Sequence, residues 1–305
     1  MEIDDSFAGT SLKPFVRRIK WRETTNYAAA VDDNNACYFD DERPGGLVAH
    51  PVFSAAVTWP VVEKIWEFIE ADHFPLEILA TQVHYSEHLR FFRLVRPDDR
   101  LHVKGKIAAI LPHRAGTRVL LRFDVTDGAG EPVFTECIGS LMRGVKCKGP
   151  GKEEGASAVS FPMEGPFAAS INERCAQPVW ISQISIDPLR PYIYDGCSNI
   201  VFPIHTSKKF ARQAGLPGTL LQGTATLAFA VRELINREAG GNPNRICSLD
   251  ARFSGMVMPG TEIKIVLLSR KILSERIYLA FCVINGDGAR VIKDGLAVFS
   301  KDVGS

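Results

Sequence analysis

The chain has almost no net charge, +1 from 36 Lys and Arg against 35 Asp and Glu. Without a surplus of one sign there is no long-range field to draw it to nucleic acid or to acidic lipid. Its basic pairs, Arg17–Arg18, Lys208–Lys209 and Arg270–Lys271, are short, scattered and read as solvated faces. No apolar run reaches the roughly 20 residues that a membrane-spanning helix needs. The opening, MEIDDSFAGTSLKPF, is acidic and polar where a signal peptide is basic and then apolar. Nucleic acid and membrane are therefore not expected partners. CxxC pairs are missing as well. The seven cysteines (Cys37, Cys137, Cys147, Cys175, Cys197, Cys247, Cys282) are odd in number and widely spaced, so they read as reduced thiols and not as a disulfide framework or zinc site. The expected compartment is the cytoplasm. Serine-hydrolase, Walker, dinucleotide-binding and zincin motifs are absent, and the Asn285–Gly288 glycines lack the strand-to-helix context of a phosphate loop. No metal and no cofactor are expected.

What is present is an ordinary globular balance, 46% hydrophobic and 23% charged over 305 residues, enough for two domains. An internal repeat divides it. HLRFFRLVRPDDRLHV, from His88 to Val103, resembles DARFSGMVMPGTEIKI, from Asp250 to Ile265: Arg90 matches Arg252, Phe91 matches Phe253 and Pro97 matches Pro259, each pair 162 positions apart. Both read as strand, Pro turn, strand. VTDGAGEPVF (Val125–Phe134) and VINGDGARVI (Val283–Ile292) follow as Gly-rich hairpins at an offset of 158, as expected if the first copy has a longer loop at LPHRAGTR. A helix candidate precedes each copy. Pro51–Glu70 is apolar on nearly every face, with Pro60 kinking it or marking its start, and Gly223–Glu238 is amphipathic. Lys146–Ser160, rich in Gly, Lys and Glu without periodicity, reads as a linker between residues 1–145 and 161–305. Each half is one helix against a curled antiparallel sheet, an α+β arrangement.

Two segments carry a family resemblance. YAAAVDDNNACYFDD (Tyr27–Asp41) followed by GGLVAHPVFSAAVTWP (Gly45–Pro60) resembles the first hotdog of MaoC-like acyl dehydratases. FPIHTSKKFARQAGLPGTLLQGTATLAFAVREL (Phe202–Leu234) is similar to that family's hydratase segment, Asp-x-Asn-Pro-Ile-His followed by a Gly-rich helix start. Val83–Leu101 matches the strand after the first helix. The resemblance implies a double hotdog, two fused hotdog domains whose antiparallel sheet wraps the central helices, with a non-catalytic hotdog in residues 1–145 and the catalytic one in residues 161–305. It also implies a homodimer. The match is incomplete: Pro203, Ile204 and His205 agree with the motif, but its Asp falls on Ile200 and its Asn on Phe202, while in the first half Tyr38 stands where a His would be.

The resemblance implies reversible syn addition of water across a trans-2-enoyl thioester, of coenzyme A or of acyl-carrier protein, to give a 3-hydroxyacyl thioester. That chemistry needs an acid/base group for the water proton and a donor for the enolate oxygen. His205, inside FPIHT, is expected to be the acid/base group. Gly223, with an N–H at a helix start and no side chain in the way, is expected to bind the carbonyl. The equivalent Pro51 has no N–H, which assigns the chemistry to the second half and leaves Asp33 and Asn35 as turn braces. Asn199 or Asp195 is expected to replace the missing Asp. Gln222, Phe202 and Ile200 are expected on the substrate side, Phe202 adding apolar bulk. Two other readings stay open: an acyl-binding subunit without activity, and another hotdog reaction such as thioester hydrolysis.

Overall fold

The computed structural model describes residues 1–154 and 177–301. In the first half, β1 (Glu2–Asp4) and β2 (Phe15–Arg18) lead into α1 (Trp21–Ala30), α2 (Phe53–Glu63) and α3 (Ile65–Phe68). Then come β3 (Gln82–Phe91), β4 (Arg100–His113), β5 (Gly116–Thr126), β6 (Pro132–Arg143) and the short β7 (Lys146–Lys148) and β8 (Lys152–Glu153). The second half runs through β9 (Trp180–Ser185), α4 (Arg190–Ser198), α5 (Pro203–Thr206), α6 (Lys208–Gln213) and α7 (Gly223–Glu238). It ends with β10 (Ile246–Phe253), β11 (Glu262–Leu273), β12 (Arg276–Asn285) and β13 (Arg290–Ser300).

The main sheet has 11 strands in the order β2-β4-β5-β6-β3-β10-β13-β12-β11-β9, with β8 added to β4. The halves are joined edge to edge at β3 and β10, which pair antiparallel. His88 faces Asp250 there, and these two hold the same place in the repeat; Arg90 faces Ser248 and Arg252 faces Ser86, as a twofold relation between the copies requires. On the outer face of this pair, His88 Nδ1 lies 2.8 Å from Asp250 Oδ1. The other face carries Glu87, Leu89, Leu249 and Ala251, all buried, toward the helices.

Both central helices sit in the core. α2 is buried on nearly all sides, Phe53 to Thr58 in succession. Pro60 lies within it and cannot donate to the carbonyl of Ala56, and the guanidinium of Arg17 from β2 takes that carbonyl instead. The helix stops at Glu63, where Lys64 leaves helical geometry, so Pro51–Glu70 is two helices and not one. α7 buries Thr224–Val231 without a break and then Leu234 and Ile235.

The falling repeat offset has a different origin from a longer loop at LPHRAGTR. Two residues, Arg114 and Ala115, link β4 to β5, and two, Ser274 and Glu275, link β11 to β12. The extra residues of the first copy lie mainly in longer strands: β4 has 14 residues against 12 in β11, and β5 has 11 against 10 in β12. Part of the stretch read as a linker is also ordered, because β7 pairs with β1 and β8 with β4, while residues 155–160 lie outside the described set.

Near the same twofold relation the helical segments meet. Tyr27 of α1 and Tyr194 of α4, both fully buried, are hydrogen-bonded through their hydroxyls at 2.8 Å. Arg190 reinforces the contact by donating to Ala30 O at 2.8 Å and pairing with Asp32 at 2.7 Å. Tyr194→Phe strands the Tyr27 hydroxyl in an apolar setting, a cost of about 1–3 kcal/mol, whereas Tyr27→Phe leaves the Tyr194 hydroxyl beside Thr224. Urea unfolding of Tyr27→Phe, Tyr194→Phe and the double variant should show the double variant losing clearly less than the sum of the singles; simple additivity would mean that the hydroxyls do not depend on each other.

Candidate active site

α7 opens at Gln222, whose carbonyl accepts the first intrahelical bond from Thr226 N–H at 3.1 Å. The amides of Gly223, Thr224 and Ala225 precede that bond, at the positive end of a 16-residue helix. A methyl group on Gly223 would come within 3.2 Å of the Phe253 ring, so packing as well as ligand access calls for glycine here. The start of α2 is closed by comparison. Val52 N–H donates to His50 Nδ1 at 3.2 Å, and the amides of Phe53, Ser54 and Ala55 donate to the carbonyls of His50, Pro51 and Val52. Only the second helix start therefore offers N–H groups to a ligand among these two.

His205 lies on α5, and its Nδ1 is 2.9 Å from Leu220 O, two residues before Gln222. A carbonyl only accepts, so Nδ1 carries the proton and Nε2 keeps its lone pair. Burial pulls the imidazole down to about 4, opposed by the bond to Leu220, so His205 is neutral at pH 7. Gln222 is buried, with Nε2 donating to Pro191 O at 3.0 Å and Oε1 unpartnered. Asp195, one helical turn after Pro191 on α4, has Oδ1 buried and unpartnered, and burial, with Glu63 nearby, raises its carboxyl. The remaining expected residues lie elsewhere. Asn199 ends α4 in left-handed geometry (φ 57°) and is exposed. Ile200 is in the core, 4% exposed. Phe202 is 43% exposed, because the extended backbone before α5 turns its ring outward onto Phe210, centroids 6.2 Å apart. It is a surface contact and not an apolar pocket wall.

Three groups were not legible as a site. The first half does assemble an Asp/His pair, from Asp33 and His50 and not from Asp33 and position 38: Asp33 Oδ2 is 3.8 Å from His50 Nε2, each residue 1% exposed. Burial raises Asp33 to about 6 and lowers His50 to about 3. Asp33 Oδ1 accepts from Asn35 Nδ2, which also donates to Asn236 of α7, so these residues brace the loop against the far end of that helix. Nine residues separate Gly223 from Arg232, whose guanidinium holds the Val31 carbonyl at 2.7 Å, roughly 14 Å along the axis. The second group is on the helix-facing side of the β3–β10 seam. A bulge at Tyr85 shifts the register between His84 and Ser86, which brings His84 to the face of Glu87. His84 Nε2 is 3.2 Å from Glu87 Oε2 and 3.2 Å from Ser86 O. The third is Glu136 on β6, diagonal to Glu87. Both glutamates are fully buried, and their four carboxyl oxygens have no hydrogen bond of ordinary geometry.

Desolvation pushes Glu87 up to about 8 and Glu136 well above the usual carboxylate range; the neighbouring Glu87 raises Glu136 further, while a hydrogen-bonding contact with Glu136 partly offsets the rise of Glu87. The folded protein thus keeps protons that the unfolded chain releases near pH 4.5. The contribution of the pair to stability is fullest below that pH and falls as pH rises toward 8, while the depressed His50, His84 and His205 act in the opposite sense below about 6.5. Thermal unfolding across pH 6.5 to 8.5 should show the decline, and Glu87→Gln, which cannot ionise, should flatten it. An unchanged slope would mean that the pair is ionised in the fold.

A cavity of about 460 Å³ opens at Trp21, Asp41, Gly45–Leu47, Arg96 and Pro97, away from all the expected site residues. Among the described residues, no group of three His, Cys, Asp or Glu side chains could hold a metal, and no helix is long and apolar enough to cross a membrane.

Residues 176–274 match the MaoC like domain, and residues 6–136 match the FAS1-like dehydratase domain region. The 3-hydroxyacyl-thioester dehydratase Y of Mycobacterium tuberculosis is 27% identical over 315 residues, covering 98% of each chain. The peroxisomal enoyl-CoA hydratase 2 of Arabidopsis thaliana is 30% identical over 104 residues, 34% of this chain and 33% of that protein. The chain spans a third or less of several curated relatives, and only 4% of fatty acid synthase subunit beta from Aspergillus oryzae. A MaoC-like dehydratase from Phytophthora capsici superposes with a TM-score of 0.80 at 20% identity, covering 97% of this chain and 98% of that one. Matched in both halves and over its whole fold, the chain carries a MaoC like domain and a FAS1-like dehydratase domain region in the frame of a double hotdog.

Proposed function

We propose that the protein adds water reversibly to a 2-enoyl thioester, giving the 3-hydroxyacyl thioester, at the start of α7. The observation that carries this reading is the pairing of an open helix start at Gly223 with a neutral His205 whose Nε2 is unprotonated. The Gly223 N–H and the helix dipole stabilise the enolate oxygen as it forms. Nε2 of His205 takes a proton from water as its oxygen adds to C3, and the resulting imidazolium returns a proton to C2. Gln222 Oε1 and Asp195 Oδ1, acceptors without partners, hold the water. Asn199 is less well placed for this, being exposed at the end of α4. Similarity to proteins named enoyl-CoA hydratase 2 and 3-hydroxyacyl-thioester dehydratase Y supports the same chemistry. Coenzyme A is the carrier that the near-neutral charge favours over an acidic carrier protein. A homodimer in the cytoplasm is the working form proposed with it, and light scattering that finds only monomer at micromolar concentration would refute the dimer.

His205→Gln should lower hydration of 2-enoyl-CoA at least ~100-fold, followed by mass spectrometry, with an unchanged circular dichroism spectrum. Asp33→Ala should stay within a few fold of wild type. If Asp33→Ala abolishes turnover and His205→Gln does not, the chemistry belongs to the first half.

The pH profile gives a separate check. Because His205 is depressed to about 4, kcat/KM should hold level from neutral pH downward and fall only as that value is approached. An acid limb centred near 6.5 would show a solvated histidine at work.

A further inference from the structure

A short path of contacts leads from Gly223 to a basic hairpin of the first half. The ring of Phe253 lies against Gly223 and stacks on His84 with centroids 4.4 Å apart. Tyr85, next to His84 at the bulge, meets the β4–β5 hairpin: its ring is 5.6 Å from that of His113, and the guanidinium of Arg118 lies over it at 5.2 Å. From the second half, Arg252 precedes Phe253 and points to the opposite face of the sheet, as successive strand residues do. β10 ends at Phe253, and the chain beyond it, Ser254–Met256, is exposed. The hairpin and the start of α7 therefore lie on either side of one rim of the sheet.

Residues 113–118 hold His113, Arg114 and Arg118 and no acid. Burial lowers the His113 imidazole, and so do the positive charges of Arg118, Arg114 and Arg252, which places three guanidinium groups around one ring. Asp294 pairs with Arg252 at 2.6 Å, but among the described residues no carboxylate pairs with Arg114 or Arg118. Arg114 is exposed, while Arg118 Nε is buried and has no hydrogen-bond partner. A buried N–H left so costs about 1–3 kcal/mol, more on a charged group. His113 Nδ1 accepts from Ala115 N–H at 3.2 Å, so the proton of the neutral ring is on Nε2, a further donor.

The twofold copy of this hairpin is built differently. Strand register aligns His113, Arg114 and Arg118 with Leu273, Ser274 and Tyr278 of the β11–β12 hairpin, and sets Glu275 in the place of Ala115. Lys271 and Arg276 are basic there, but Glu275 offsets one of them. The uncompensated guanidinium pair thus belongs to the hairpin reached from the open helix start. Planar guanidinium forks without a carboxylate match the oxygens of a phosphate group.

Resting on the reading that Gly223 binds the thioester carbonyl, we infer that Arg114 and Arg118, with His113 and Arg252 beside them, hold the phosphate groups of a coenzyme A thioester. The neutral pantetheine arm then crosses the rim at the end of β10 and brings the thioester to α7. A carrier protein offers one phosphate on the same arm, so the number of phosphates separates the two carriers.

Calorimetry with butanoyl-CoA, which has no double bond to hydrate, reads binding without turnover. Arg114→Ala and Arg118→Gln should each weaken it about tenfold or more, the worth of one hydrogen bond to a charged group. Arg114 is exposed, so its replacement tests the site even where Arg118→Gln disturbs the hairpin. Affinity of the unaltered protein should fall with added salt more steeply than that of the double variant. Butanoyl phosphopantetheine, which keeps the arm and a single phosphate, should bind about tenfold more weakly than butanoyl-CoA, and the double variant should lose most of that difference. Equal binding of the two probes overturns the inference, as does binding of butanoyl-CoA by the double variant within about twofold of the unaltered protein. A parallel hydration assay with butenoyl-CoA separates the two readings. Turnover whose KM does not move in the double variant sinks only this inference, and arginine-dependent binding without turnover sinks only the hydration reading.

Discussion

When a strand pairs antiparallel with its own repeat, one position faces its counterpart, and every other pairing is set by that choice. Here the position is His88 against Asp250. A slip of one residue would put the core residues of one strand, Glu87 and Leu89 or Leu249 and Ala251, on the outer face opposite the core residues of the other. The seam therefore specifies more than adhesion. It sets where the two sheets continue, where Tyr27 and Tyr194 meet, and which ends of α2 and α7 lie over which half.

A twofold arrangement offers two equivalent pockets, and the chain has made them unlike. At α2, Pro51 lacks an N–H and His50 folds back on Val52, so the helix start is spent on its own loop. At α7, Gln222 and Gly223 stand in those places, and the first amides are left facing outward from the helix end. The acid pair of the first half, Asp33 with His50, sits where no amide is free; the free amides of the second half sit where Ile200 has removed the acid. On the proposed reading, carbonyl binding and carboxylate chemistry are separated between the halves, and a neutral His205 serves at the second.

The strands, both hairpins, the two central helices and the fused sheet were legible because period-2 alternation and the repeated Pro and Gly turns are local signals. The open start of α7 was legible for a similar reason, since Pro against Gly is a statement about one N–H. His205 was singled out by a short motif. His50 was not, because its partner Asp33 lies 17 positions earlier and only the fold brings them to 3.8 Å. His84 was hidden by the bulge: strict alternation puts it on the face opposite Glu87, and one extra residue at Tyr85 reverses that. Phe202 was misplaced because an aromatic in a motif says nothing about which way an extended residue turns it.

The buried acid Glu87 lies on the same strand that joins the halves, and this ties its protonation to the seam. Glu87 is two residues from Leu89 on one face of β3, and Leu89 is fully buried against the partner half. Hydrophobic closure of the seam removes water from the acids, and the lost water is what keeps them protonated. The apolar residues at the centre of the molecule thereby create the hydrogen-bond donors beside them. A change that loosened the seam would admit water, let the carboxyl groups ionise and turn donors into repelling charges. Conversely, apolar side chains in place of Glu87 and Glu136 would remove the buried charge that forms as pH rises, and with it the dependence of the seam on pH.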